Sequence, residues 1–197
     1  MSPSNEESQT ARERITTSAL ELFAERGYGS ASVKAIAQHA GVSQGLMYNY
    51  FPGKEVLLRE IFLTGLRDVQ ASWREAEGID PLDSLRALLD ESFRLVREHA
   101  SFWRLFYALR SQRAVAAELK GDLEAWSSLI HERLERYCRD LNVARPEVEA
   151  RVLFAFIDGV AQQLVLDEAY PLAEVTSALL GRYAQLKEEH ETRLARP

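Results

Sequence analysis

Residues 32–54, SVKAIAQHAGVSQGLMYNYFPGK, constrain the fold more than any other stretch of the chain. Behind Ser32, a good N-cap, Val33, Ile36, Ala37 and Ala40 follow the i, i+3, i+4, i+7 spacing of one helix face. Gly41 ends that helix, because a turn residue with positive φ costs glycine least. Ser43 caps a second helix over Gln44–Tyr50, which stops before Pro52-Gly53. Two short helices on a tight glycine turn are the outline of a helix-turn-helix. In that motif the second helix enters the major groove of DNA.

The rest of the chain is also helical in pattern. A helix from near Thr10 buries Ile15, Ala19, Leu22 and Phe23 and ends at Gly27, behind a disordered polar tail at residues 1–9. Three helices over 10–53 are the minimum that buries the back of a reading helix. Lys54 starts a long connecting helix to about residue 75, with Leu57, Leu58, Ile61, Phe62, Leu66, Val69 and Trp73 at helical spacing. After the loop 77–80, Pro81 opens a helix to about His99, and Ser101 caps another carrying Phe102 to Leu109. A helix over about 113–141 has a break or kink point at Gly121, and Pro146 and Pro171 open the last two. No strand alternation is sustained and no fixed-period repeat is present. The expected fold is all-α with about nine helices: a three-helix helix-turn-helix domain (10–53), a connecting helix (54–75) and a larger helical domain (76–197).

Composition excludes several classes. With 46% hydrophobic and 27% charged residues the chain can bury a sizeable core. A single cysteine, Cys138, rules out an intrachain disulfide framework, and the acidic polar N-terminus has no apolar signal region. Both point to the cytoplasm, and no apolar run approaches the length of a membrane span. Cys138 reads as a small packing residue. The net charge of −6 argues against binding nucleic acid over the whole surface, yet no acid lies between Glu25 and Glu55 while Arg26, Lys34 and Lys54 do. A surface made from that span does not repel phosphates.

On a helix at 100° per residue, Met47 and Phe51 fall on one side as anchors. Gln44, Gly45, Leu46, Tyr48 and Asn49 are left outward or at the tip. Gln and Asn are the side chains that pair bidentately with adenine edges, and Leu46 suits a thymine methyl. Gly45 lets the backbone approach closely. Tyr50 and Lys54 carry donors for phosphate oxygens, as do the amides near Ser32 and Ser43. A bundle-surface helix with half-buried Tyr48 and Tyr50 shares part of this pattern.

Residues 12–62 carry a denser set of features: Ile15-x-x-Ser18-Ala19-Leu20-x-Leu22-Phe23, Glu25-Arg26-Gly27-Tyr28, Ser32-Val33-x-x-Ile36-Ala37, Ala40-Gly41-Val42-Ser43, Tyr48-x-Tyr50-Phe51 and Lys54-Glu55-x-Leu57. This stretch resembles the DNA-binding domain of the tetracycline-repressor (TetR) family of transcription regulators. The resemblance implies phosphate contacts from Ser32, Tyr50 and Lys54. It implies base or backbone contacts from Ser43, Gln44, Gly45, Leu46, Tyr48 and Asn49, and Lys34 joins the set as a cation of the acid-free span. Leu46 departs from the family, where many members carry Thr or Ser, and leaves only apolar readout there. The family also implies a homodimer on double-stranded DNA, with the last two helices pairing with their symmetry mates. Gly159, Leu164, Leu179 and Tyr183 are the candidate interface positions.

Aromatic residues gather in the middle of the chain. Most read as core, but an apolar ligand cavity is the functional alternative. Phe93, Trp103, Phe106, Tyr107, Trp126 and Phe154 are its candidate lining, and Asp158 and Gln162, four apart on the most apolar helix, its candidate polar groups. A buried Asp158 needs a partner: an Arg, a group of the dimer mate, or a ligand amine or hydroxyl. The implied effector is a small, mostly apolar molecule. The four histidines do not cluster, so no metal site is expected, and no cofactor is implied. Two other classes stay open on the residues alone: a regulator acting through protein contacts, and a helical enzyme, for which no nucleophile–base constellation is visible.

Overall fold

The computed structural model describes residues 5–72, 80–110 and 119–194. Trp73, the loop at 77–79 and residues 113–118 of the expected seventh helix lie outside these. Among the described residues there are nine helices and no strand: α1 (Asn5–Arg26), α2 (Val33–His39), α3 (Gln44–Tyr50), α4 (Lys54–Ser72), α5 (Pro81–Glu98), α6 (Ala100–Arg110), α7 (Lys120–Asp140), α8 (Pro146–Leu166) and α9 (Leu172–Leu194). None is long and apolar enough to cross a membrane. Two boundaries differ from the sequence reading. α1 begins at Asn5, with Glu6 and Glu7 following, residue types that the positive end of a helix favours. Ser101 lies inside α6, not at its cap. α7 starts at Lys120 with Gly121 in its first turn, which fits the break and not the kink of the two readings.

The chain divides into two compact units. The first comprises residues 1–68 and 100–120. Its centre is α1, whose Ile15, Ala19, Leu22 and Phe23 are all buried, and which packs on α2 and on α6. The sequence pattern groups α6 with residues 76–197, whereas the structure joins it to α1. An apolar stripe states that a helix is buried, not against what. The α6 aromatics Phe102, Trp103 and Phe106 form one cluster with Phe62 of α4, ring centroids 5.4 to 6.3 Å apart. α4 and α6 approach so closely that a Cβ on Gly65 would lie 2.3 Å from the Phe102 ring.

The second unit comprises residues 69–99 and 121–197. α5 packs against both α8 and α9. Leu85, Leu88, Leu89 and Phe93 of α5 are buried, as are Leu153, Val160 and Ala161 of α8 and Leu179, Leu180 and Tyr183 of α9. Asp80 caps α5 by accepting the Leu82 N–H at 2.9 Å and accepts Lys187 Nζ of α9 at 3.0 Å. The Lys187 ammonium and the Leu82 amide hold the Asp80 carboxyl below its ordinary range. Cys138 of α7 is fully buried, and burial, with Glu149 and Glu135 nearby, pushes its thiol up to about 12. A thiol reagent at pH 8 is therefore expected to leave Cys138 unmodified in the native protein and to titrate one thiol per chain in denaturant. Rapid native labelling would show that this helix opens.

Candidate nucleic-acid interface

α2 and α3 are held by matched local devices. Ser32 Oγ accepts the Ala35 N–H and Ser43 Oγ accepts the Leu46 N–H, each at 3.1 Å. A hydroxyl that accepts in this way keeps its own O–H to donate, and both serines are exposed. Between the helices, Gly41 takes φ +65°. Its N–H reaches Gln38 O at 3.2 Å while the Val42 N–H reaches Ala37 O at 2.9 Å, which satisfies the last carbonyls of α2. The glycine is therefore required by the backbone turn.

α3 separates into two sides as its helical angles imply. Met47 is fully buried and Phe51, its C-cap, is 1% exposed. Gln44, Gly45, Tyr48 and Asn49 are exposed, Tyr48 by 51%, and form one continuous surface. Leu46 and Tyr50 flank it half-buried, and Lys34 of α2 is exposed. Amide, phenol and backbone groups are thus presented outward on a helix whose other side is locked into the unit. That is what reading base edges in a groove requires.

Lys54 occupies a different position from an open phosphate donor. Its Nζ donates to Tyr28 O at 2.7 Å and Ala31 O at 3.1 Å, and lies 4.4 Å from the centre of the Tyr28 ring. Tyr28 in turn packs edge-on against Phe23 and donates its hydroxyl to Glu55 Oε1 at 3.4 Å. The ammonium fastens the loop between α1 and α2 to the start of α4. Arg12 makes a second fastening, which sequence reasoning missed. Its guanidinium lies 4.9 Å from the centre of the Phe51 ring and pairs with Glu60 at 3.1 Å, joining α1, the end of α3 and α4. The signal available was its place at the head of the motif-bearing stretch.

The candidate ligand residues are divided between the units. Trp103 and Phe106 are buried in the aromatic cluster of the first, with Tyr107 half-buried beside them. In the second, Phe93 is core, and half-buried Phe154 lies 4.7 Å from the His131 ring, centroid to centroid. Asp158 is only half-buried and Gln162 is exposed. Trp126 lines a cavity in the second unit. Of the candidate dimer positions, Leu164, Leu179 and Tyr183 are buried in their own chain, Tyr183 completely. The Tyr183 hydroxyl donates to Glu149 Oε2 at 3.2 Å. Tyr183 has no surface left for a second copy, and Leu164 and Leu179 keep only 8% and 6% exposed. Gly159 is exposed, on a stripe of α8 with Val152, Phe156 and the 74% exposed Leu166. Ala178, Gly181 and Gln185 are exposed at the same spacing on α9.

Two family models match the chain: bacterial regulatory proteins of the tetR family over residues 15–61, and the C-terminal region of BetI-type transcriptional repressors over residues 81–186. The chain is 38% identical over 184 residues to the HTH-type transcriptional regulator UidR of Escherichia coli (strain K12), covering 90% of this chain and 88% of that one. It is 32% identical over 158 residues to the HTH-type transcriptional regulator BetI of Stenotrophomonas maltophilia (strain R551-3), covering 76% and 78%. The fold is similar to that of a transcriptional regulator from Rhodococcus sp. RHA1, with a TM-score of 0.77 at 24% identity, covering 90% and 96%. With the exposed α3 surface on a buried three-helix base, these matches establish that the chain belongs to the TetR family of DNA-binding transcription regulators.

Proposed function

We propose that the protein is a repressor that binds a near-palindromic operator as a homodimer and is released by a small-molecule effector held in the second unit. The observation that carries the DNA-reading part is the exposed α3 surface of Gln44, Gly45, Tyr48 and Asn49 above the buried anchors Met47 and Phe51. One short helix reads too few bases for useful selectivity, so two copies are needed, with reading helices about 34–36 Å apart or a wider multiple. The surface that serves dimerisation is the stripe of α8 and α9, where exposed Gly159 and Gly181 permit close helix approach and exposed Val152 and Leu166, with half-buried Phe156, supply apolar area. The name BetI-type transcriptional repressor, carried by the match over residues 81–186, supports repression. A role as a regulator rather than an enzyme fits the same family.

The reading is tested by binding to the DNA upstream of the protein's own gene. Asn49→Ala is expected to cost about 1–3 kcal/mol on the operator and little on unrelated duplex, since it removes base readout alone. Equal loss on both sequences would contradict a base contact from Asn49.

A further inference from the structure

A cavity of about 120 Å³ lies within the second unit, between the last turn of α4 and α7. Its floor is apolar: Val69 and Ile130 are buried and Trp126 is half-buried. At its rim Leu129 is 42% exposed, a large apolar side chain left in water. Two guanidiniums complete the wall. Arg133 is half-buried with its Nε fully enclosed, and Arg136 is exposed at the edge.

Arg136 is set apart by what it does not do. α7 offers two Glu-to-Arg pairs at i, i+4, both in the order that a helix favours. Glu135 and Arg139 close as an ion pair. Glu132 and Arg136, both facing the cavity, do not, and among the described residues Arg136 has no ion-pair partner. The surroundings sharpen the contrast. The second unit holds 13 basic and 21 acidic residues, net −8, while the cavity wall carries two guanidiniums against one carboxylate.

We propose that this cavity binds a small organic carboxylate whose apolar body rests on Trp126 and Ile130 and whose carboxylate meets Arg136. The proposal rests on the reading that the second unit holds the effector, and names the effector's class. An apolar cavity of roughly 150 Å³ holds benzene, so the body is about one ring or a short branched chain, with the charged group at the rim. Arginine matches a carboxylate with two parallel hydrogen bonds, and an organic cation at the same place meets the like charge of Arg136. An amide of the same shape fills the floor but forgoes the charge-assisted bonds.

The test is calorimetric titration of the full chain with benzoate, phenylacetate and isovalerate against benzamide and benzylamine. At least one acid is expected to bind with a Kd below about 1 mM and at least about tenfold more tightly than the amide. Arg136→Gln, at an exposed position, is expected to melt as the wild type does, to lose about tenfold for the acid and to leave the amide unchanged. Equal binding of acid and amide, an unchanged Arg136→Gln variant, or no binding by any of the acids overturns the proposal. Operator affinity measured in parallel separates the two readings. Absent acid binding with intact operator selectivity removes this site alone, whereas acid binding without operator selectivity removes the regulator reading alone.

Discussion

Phe51→Ala is expected to destabilise the first unit by about 3–5 kcal/mol, the cost of emptying a large buried aromatic site. The residue is 1% exposed at the C-cap of α3, and its N–H closes the helix on Met47 O at 2.9 Å. The ring also carries the Arg12 guanidinium, which pairs with Glu60 of α4. Removing it leaves Arg12 over a void and frees the end of the reading helix. A thermal melt is expected to show an early transition lowered by at least about 12 °C, and specific DNA binding is expected to be lost with it. Phe51→Leu, which keeps most of the volume, is expected to lose less than half as much stability. An unchanged melt for the alanine variant would show that α3 is not held from this side.

The second large effect concerns Lys54. The family resemblance assigns it to a phosphate, whereas the structure engages its ammonium with the Tyr28 and Ala31 carbonyls and the Tyr28 ring. Both roles weaken DNA binding when the residue is changed, so affinity alone does not separate them. Lys54→Met keeps the aliphatic stem and removes the charge. As a fastening, its loss strands the carbonyls of a half-buried loop and is expected to cost about 2 kcal/mol of stability. The slope of log K against log salt then stays at the wild-type value. As a phosphate contact, its loss leaves stability intact and lowers that slope by about 0.9. The structure predicts the first pattern, read by a thermal melt and by operator titrations between low and moderate salt.

The residues differ in how much of this was legible in advance. The bounds of α3 follow from Ser43 and Pro52, and the left-handed turn from Gly41, because capping and turn chemistry are local. The sides of α3 follow from helical angle alone, so Met47 and Phe51 are buried and Tyr48 and Asn49 exposed as the spacing implies. What failed to show was partnership at a distance. Lys54 finds acceptors 23 and 26 residues upstream, a separation that no spacing rule covers. α6 has a clear apolar face, but its partner α1 lies far back in the chain. Leu164, Leu179 and Tyr183 have the character of interface residues and of core residues equally. Only the packing of α5 against α8 and α9 assigns them to the core and leaves Val152 and Leu166 outside, with Phe156 half-buried between them. The cavity beside Arg136 was hidden for the same reason, since α4 contributes Val69 and Gln70 from about 50 residues before the start of α7.

The central claim is that α3 reads DNA sequence from a dimer. Its most direct test is fluorescence anisotropy of the full chain on labelled duplexes tiled across the region upstream of its gene, at fixed physiological salt, against a shuffled duplex. One near-palindromic duplex is expected to be bound by two chains with a Kd of about 10⁻⁸ M or tighter and at least about 10³-fold more tightly than the shuffled one. Equal affinity for every duplex, or binding by a single chain, would contradict that claim.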